Sequence, residues 1–553
     1  MSSANRDDTD IAVVGISAIL ASGENLYENW ESIRQGLDHV SDLPADRVDV
    51  TAYFSPDKAA KDHIYCKRGY FIPDFEIDPR DYGLNFNQVE DSDTNQLLTL
   101  LKVKEALSDA KIHPSSKDRR NVGVVLGIGG GQKASHEFYS RLNYVVMEKV
   151  LRKMGMPDED VVSAIEKYKS QFPEWRVDSF PGFLGNVTAG RCCNVFNLDG
   201  MNCVVDAACA SSLIALKVAI DEILYGNCDT MVCGATCTDN SIGMYMAFSK
   251  TPVFSTDQRV KAYDDSTKGM LIGEGSVMLV IKKLSQAIKD GDEIHAVIRG
   301  VASSSDGKAP GIYVPTVSGQ ELCIQRAWEK VHCELKTCTL LEGHGTGTPV
   351  GDKIELTGMR NQFQNNGGCS KEQIAVGSIK SQVGHTKAVA GFAGLVKVIL
   401  ALKHKILPRT INVQNPPNLV DGTSLNDTCL YLNLKNRPWF VPREIGVRRA
   451  GISSFGFGGA NYHAVVEEFE PEQSKPYRMH DLPLPVIIHA SNVRDLITNL
   501  KSLVAKLEPL AFAEEKIKKD EAYDILIQFR TEHQVGSNGT IISPSNPRVG
   551  LLV

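Results

Sequence analysis

IAVVGISAIL (11–20) is a ten-residue run almost without polar interruption, and NLYENWESIRQG after it (25–36) returns to apolar residues at helical spacing. A strand with no polar alternation is one covered on both faces, so a sheet lying between layers of helices is required. The same apolar character recurs in NVGVVLGIGGG (121–131), GMNCVVDAACASSLIALKVAIDEILYG (200–226) and CDTMVCGATCTD (228–239). Repetition of this strand-to-helix order confines the chain to the α/β class.

A second series opens at GSVMLVIKKLSQAIKDGD (275–292). It continues through EIHAVIRGVASSSD, TCTLLEGHGTGTP, QIAVGSIKSQVGHT and the helical GFAGLVKVILALKHKIL, and ends with the strand-like YHAVVEEFE. With 553 residues, more than one ordinary core can hold, the chain is expected to form two successive α/β halves, 9–270 and 271–468, after a flexible tail at 1–8. Residues 131–199 read as an insertion with two helical pieces parted at Met156-Pro157, suited to cover a site mouth or a subunit contact. Near Glu470 the polar, proline-rich PEQSKPYRMHDLPLP marks a boundary. PVIIHA, NVRDLITNLKSLVAKL, AEEKIKKD and RVGLLV then predict a smaller α/β linker domain over 469–553. The apolar strand at the very end suggests a piece of a longer polypeptide.

Net charge of −7 without a basic block argues against nucleic acid. The start, MSSANRDDTD, lacks the order of a signal peptide, and no apolar run nears the ~20 residues of a membrane span. A cytoplasmic protein is expected, and the sequons at Asn186, Asn426 and Asn538 then read as chance matches. Thirteen cysteines, an odd number with no C-x-x-C pair, suit neither a disulfide framework nor a zinc knuckle, and no metal is expected.

Cys209 stands out among them. In VVDAACASSL it follows a strand, sits among very small residues and precedes a helix, where unpaired amides would lower its thiol pKa toward roughly 3.5–7.5. A buried structural cysteine is the plainer alternative. His344 in LEGHGTGTPVGD and His385 in GSIKSQVGHTKAVAG each follow an apolar strand in a glycine-rich loop, where α/β folds place ligands. Two such histidines and a strained cysteine together favour a functional cluster: imidazoles can donate to a developing oxyanion or move protons near neutral pH. Lys380 ends the apolar AVGSI and should point into a polar pocket with Asp352 and Glu355 as counter-charges, either as an ion pair or in catalysis. SSFGFGGANYH (453–463) offers amides for an oxyanion and Phe457 as an acyl contact or gate, while His463 reads as structural. GIGGGQK lacks dinucleotide-loop spacing, and GHGTGTPVGD lacks the G-K-[ST] ending of a nucleotide loop.

DAACASSL, EGHGTGTPVGDKIE, GSIKSQVGHTKAVAG and SSFGFGGANYH, in that order and spacing, resemble the β-ketoacyl synthases, the condensing enzymes of fatty acid and polyketide synthesis, over about residues 9–468. YCKRGYFIPDF, GIGGGQK, DSFPGFLGNV, MAFSKTPVFSTD and KGMLIGEG are most similar to the ketosynthase opening the first subunit of polyunsaturated fatty acid synthases of marine bacteria and thraustochytrids. The resemblance implies a thiolase fold, two similar halves in five αβαβα layers, commonly a homodimer. It implies Cys209 as acyl acceptor, the Cys209 and Phe457 amides as oxyanion hole, and His344 and His385 in malonyl decarboxylation. Lys380 would organise the pocket, with Asp352 and Glu355 as supporting acids, and Thr346, Thr348, Gly456 and Gly458 would contact a phosphopantetheine arm. That arm would arrive on an acyl carrier protein, and no cofactor would be bound directly. Carrier domains, a malonyl-acyltransferase domain of the same longer chain and other synthase subunits would be the partners. Polyketide synthases usually read DTACSSSL, EAHGTGT and GFGGTNAH, so Ala207, Ala210, Gly343, Ala460 and Tyr462 depart from that pattern without removing a catalytic side chain. A biosynthetic thiolase would need a further cysteine in the C-terminal glycine-rich turn, and none follows Cys429. A papain-like hydrolase would want one histidine and a secretory context. A non-catalytic scaffold remains the alternative from another class.

Overall fold

The computed structural model describes residues 9–113, 121–130, 132–442, 445–469 and 485–512, with 522, 525–526, 528 and 548–552. The 1–8 tail, most of the proline-rich boundary, AEEKIKKD and Asn538 lie outside these. The chain divides into two compact units, Met1–Pro471 and Glu472–Val553.

Eleven strands of the first unit form one sheet: Ile11–Leu20 (β1), Val122–Gly127 (β2), Asn202–Val205 (β3), Thr230–Cys237 (β4), Gly275–Lys283 (β5), Ala296–Ser305 (β6), Leu340–Glu342 (β7), Ile374–Gly377 (β8), Leu430–Leu432 (β9), Arg449–Gly456 (β10) and Ala460–Glu467 (β11). Their spatial order is β9-β8-β7-β10-β11-β6-β1-β5-β4-β2-β3. From β1 outward the pairing is antiparallel to β5, antiparallel to β4, then parallel to β2 and β3. From β6 outward the series repeats: antiparallel to β11 and β10, then parallel to β7 and β8, with β9 added at the edge. The two series meet where Ile11–Val13 pair with Ala296–Ile298. By this order Gly275–Lys283 stands with the first series, although its sequence reads as the opening of the second. A buried strand carries no sign of which neighbours it will pair with.

Successive residues of one strand enter different cores, which is why the runs are apolar throughout. Ile11, Val13, Val125, Leu279 and Ile281 join the large central cluster, whereas Ala12, Val14, Val124, Met278 and Val280 join a second cluster. Thr94–Asp109 (α1) and Gly185–Phe196 (α2) cover that second face, and Val317–Lys330 (α4) covers β6 and β11. In the middle lie Ser211–Leu224 (α3) and Ala390–His404 (α5), which touch each other and the strands on either side. Every residue from Ala390 to Leu402 is buried, the pattern of a helix enclosed all round. Helices, half-sheet, helices, half-sheet and helices make the five layers expected from the resemblance.

The insertion holds helices Lys133–Leu142, Tyr144–Lys153 and Asp158–Lys169, with Met156-Pro157 between the last two. In the second unit, Pro485–His489 pairs antiparallel with Arg548–Leu552, and helix Val493–Leu507, capped by the Asn492 side chain, buries Leu496 and Leu503 with Ile488 and Leu526. Among the described residues no helix is long and apolar enough to cross a membrane.

Candidate active site

β3 delivers the chain to Asp206, and a single 3₁₀ turn, Ala208–Ala210, carries it into α3. Ala208 takes φ of +50°, a left-handed conformation that costs a non-glycine residue of order 1–3 kcal/mol and persists only where neighbours enforce it. They do. Asp206 accepts from the Ala208 amide at 2.8 Å, Ser211 Oγ accepts from the Ala207 amide at 2.9 Å and donates to the Ala208 carbonyl at 2.7 Å. Across the turn Ser454 Oγ donates to the Cys209 carbonyl at 2.6 Å. Cys209 is thus fixed at the mouth of α3.

Its electrostatics differ from the sequence expectation. Burial pushes the Cys209 thiol up, opposed by a hydrogen bond from the Phe457 amide and by the charges of Lys380 and Lys387. The helix start is real, but enclosure outweighs it, because a thiolate loses more hydration there than one turn of amides returns. The Phe457 amide reaching the sulfur comes from the tight turn after β10, where any side chain at Gly456 would meet the Ala207 carbonyl at 2.3 Å. That close approach requires glycine.

Cys209, His344 and His385 converge: the sulfur and one nitrogen of each ring all lie within 4.8 Å of one another. The rings stand edge to face with centroids 5.4 Å apart. His344 Nδ1 accepts from the Phe455 amide at 3.4 Å, and His385 Nδ1 accepts from the Lys387 amide at 3.0 Å. Each neutral ring must then carry its proton on Nε2. Burial, followed by the charge of Lys380, drives both imidazoles well below the usual histidine range. At neutral pH the site therefore presents two uncharged Nε2–H donors, suited to an oxygen that gains negative charge. His463, by contrast, lies buried and bonded to Trp328 and Ser453, pushed down to about 3 by burial.

Lys380 is 3% exposed; burial lowers its pKa, while Glu342, Glu355, Cys209 and Asp352 raise it. The expected counter-charges, Asp352 and Glu355, do act on Lys380 by charge, but the partners bonded to their oxygens are backbone amides and, for Glu355, the Tyr263 hydroxyl. Glu355 accepts from the His344 and Gly345 amides at 2.6 and 2.8 Å, and Asp352 from those of Tyr263 and Gly347 at 2.7 and 3.1 Å. Both acids hold the His344 loop, and burial raises both, Asp352 to about 7. Glu342 heads the charges acting on Lys380 and was not singled out by sequence, because it is a single charge closing an apolar strand. Its carboxylate meets Lys397 Nζ at 2.6 Å, both side chains being 1% exposed. Lys387, also passed over, donates to Asn240 and the Gly273 carbonyl at 2.7 and 2.6 Å. Its only signal was adjacency to His385.

A cavity of about 740 Å³ leads to these groups. Met244, Phe248, Val253 and Met270 give it an apolar wall; Thr346, Thr348, Gly456, Phe457 and Gly458 border it, as do Gly129 and Gly130 of the GIGGGQK loop. Thr346 and Thr348 hydroxyls lie 3.1 Å apart. Phe457 is 54% exposed and stacks on Tyr313 with ring centroids 5.8 Å apart. A cysteine and two neutral imidazoles lining an apolar cavity can accept an acyl group and stabilise an enolate.

Comparison with known proteins agrees with that chemistry. Residues 8–287 match the profile of the β-ketoacyl synthase N-terminal domain, and residues 295–414 that of its C-terminal domain. The chain belongs to the β-ketoacyl synthase family. Its fold is the thiolase fold and its class that of the acyltransferases. The change from one profile to the other falls between β5 and β6. A polyunsaturated fatty acid synthase subunit from Thraustochytrium is 63% identical over 99% of this ketosynthase chain. A pikromycin polyketide synthase component from Streptomyces venezuelae is 30% identical over 85% of it. The chain spans only 19% and 12% of these two relatives. Among solved structures, an oxazolomycin ketosynthase domain from Streptomyces albus superposes with a TM-score of 0.72 at 28% identity, covering 91% of this chain and 81% of that one. A ketosynthase–chain length factor, PfaC, gives 0.74 at 27% identity, covering 90% and 55%.

Proposed function

We propose that this chain joins an acyl group held on Cys209 to a malonyl group held on a carrier protein, with loss of carbon dioxide. The observation that carries this reading is the convergence of Cys209, His344 and His385 on the lining of the apolar cavity, with Nδ1 of each imidazole bonded to a backbone amide. In the first half-reaction the Cys209 sulfur bonds to the acyl carbon of a carrier thioester. The carrier's C–S bond breaks, its thiol leaves with the proton given up by Cys209, and the Cys209 and Phe457 amides hold the transient oxyanion. In the second, the malonyl C–CO₂ bond breaks and its electron pair becomes an enolate whose oxygen is held by the two Nε2–H groups. The enolate carbon attacks the Cys209 thioester, the Cys209 C–S bond breaks, and the thiolate takes a proton from water. No oxidant or reductant is required. Burial and then the charge of Lys380 keep the imidazoles uncharged, Asp352 and Glu355 hold the His344 loop, and Thr346, Thr348, Gly456 and Gly458 face the carrier's phosphopantetheine arm.

The similarity to the Thraustochytrium protein supports elongation of a polyunsaturated fatty acid as the setting. It also supports carrier and malonyl-acyltransferase domains and other synthase subunits as partners; a cytoplasmic homodimer as the working form is part of the same proposal and rests on the family resemblance alone. The repeated sheet order supports two halves that change over between β5 and β6, followed by the linker domain. Intact-protein mass spectrometry after incubation with acyl-carrier thioesters tests the reading. An acyl adduct on Cys209, absent from Cys209→Ala while that variant still decarboxylates malonyl-carrier, is expected; an adduct on any other cysteine would sink it.

A further inference from the structure

Gly343 stands where polyketide synthases usually carry alanine, and Tyr263 occupies the space that alanine would need. A Cβ on Gly343 would lie 1.8 Å from the Tyr263 hydroxyl and 3.0 Å from Glu355 Oε1. Tyr263 is wholly buried and takes φ of +61°, a conformation that the surroundings must enforce on an aromatic residue. Two hydrogen bonds enforce it: its amide donates to Asp352 at 2.7 Å and its hydroxyl to Glu355 Oε2 at 2.8 Å. Glu355 in turn receives the amides of His344 and Gly345. One buried carboxylate thus gathers three donors, and the hydroxyl is the one not supplied by the loop it positions. Hydrogen bonds to a buried charged group are the strong kind, and the geometry of such a group is set by its complete donor set.

We infer that Tyr263 is a positioning residue for His344, acting through Glu355, and that Gly343 is the matching change that makes room for its hydroxyl. The inference rests on the proposed part of His344 in decarboxylation. It explains one departure from the polyketide synthase pattern by steric necessity: tyrosine at 263 and alanine at 343 exclude each other.

The test uses the chain itself with acyl-carrier and malonyl-carrier substrates, reading Cys209 acylation and malonyl decarboxylation separately, with kcat and KM for the latter. Tyr263→Phe should lower the decarboxylation kcat about three- to tenfold with KM and acylation little changed, because a charge-assisted bond to the positioning carboxylate is lost. Gly343→Ala should lower it by about a hundredfold, the order expected when a catalytic group shifts by an ångström. Combining the two should recover much of that loss. Removal of the hydroxyl leaves contacts of 3.0 Å to the ring carbon and to Glu355, which a shift of a few tenths of an ångström relieves. Equal kcat for Tyr263→Phe and wild type, or a double variant no better than Gly343→Ala, would overturn the inference; if Gly343→Ala does not fold, the Tyr263→Phe result alone decides. His344→Ala separates the two readings: unaffected decarboxylation there would discredit the part assigned to His344, whereas its loss beside an unaffected Tyr263→Phe would discredit only the inference.

Discussion

Glu342→Gln puts the buried charges beside the site to a direct test. The Glu342 carboxylate lies 2.6 Å from Lys397 Nζ and accepts from the Ile379 amide at 2.6 Å, with both charged side chains 1% exposed. Backbone closes in on both partners: a Cβ at Gly394 would lie 2.9 Å from Glu342 Cγ, and one at Gly377 3.2 Å from Lys397 Nζ. Glutamine keeps an acceptor for Ile379 but strands the Lys397 ammonium without a counter-ion. Breaking one partner of a buried pair costs about 3–5 kcal/mol, against a whole-domain stability of roughly 5–15 kcal/mol. At about 1.4 kcal/mol per tenfold, the folded-to-unfolded ratio falls between roughly a hundredfold and several-thousandfold. Replacing both charges, as Glu342→Gln with Lys397→Met, removes the uncompensated ion and should recover the loss to within about 1–2 kcal/mol of wild type, since the desolvation of two charges is also relieved. Urea unfolding followed by tryptophan fluorescence, completed for Lys397→Met alone as a double-mutant cycle, measures the coupling. A Glu342→Gln protein within about 1 kcal/mol of wild type, or a double variant no more stable than Glu342→Gln, would refute the argument from burial.

Two further outcomes concern protonation. Because burial raises the Cys209 thiol, its alkylation by iodoacetamide, followed by peptide mass spectrometry, should still be climbing at pH 9.0, the ordinary thiol value, and Lys380→Met should slow it further; a plateau below neutrality would mean a depressed thiol after all. Because His344 and His385 stay neutral below their ordinary 6.5, malonyl decarboxylation by Cys209→Ala should hold steady as pH falls through that value instead of halving there. The stability sign follows from proton counting. Just below 6.5 the unfolded histidines bind more protons than the folded ones, so their contribution is lost on acidification, and wild type should lose stability relative to His344→Asn between about pH 7.5 and 5.5. Asp352, raised to about 7, acts oppositely: its contribution is lost as pH rises through that value in both proteins and cancels in the comparison.

Much of the site was legible because its chemistry sits in short segments. Cys209, His344, His385 and the 453–463 turn each follow a strand closely, and these segments, drawn from both halves of the sheet, come together. The thiol's electrostatics were not legible, since a helix start can be read locally while enclosure by β10, the His385 loop and the cavity walls cannot. Asp352 and Glu355 were found from their charge in a helical stretch, but their attachment to the His344 loop depends on how that helix packs. Glu342 and Lys397 were missed because each interrupts an otherwise apolar segment only once, and one charge in such a segment says nothing of its partner 55 residues away.

By itself the sequence determined the α/β class, the apolar strands covered on both faces, a helix within 391–407 and the residue types gathered around Cys209, because these follow from local patterning. Tertiary structure decided the pairing of Gly275–Lys283 with the first series, the Nε2 protonation of both imidazoles and the raised thiol. It also decided the exclusion between Tyr263 and an alanine at 343. Each of these depends on which atoms from distant segments come within a few ångströms, and burial and hydrogen bonding act only at that range.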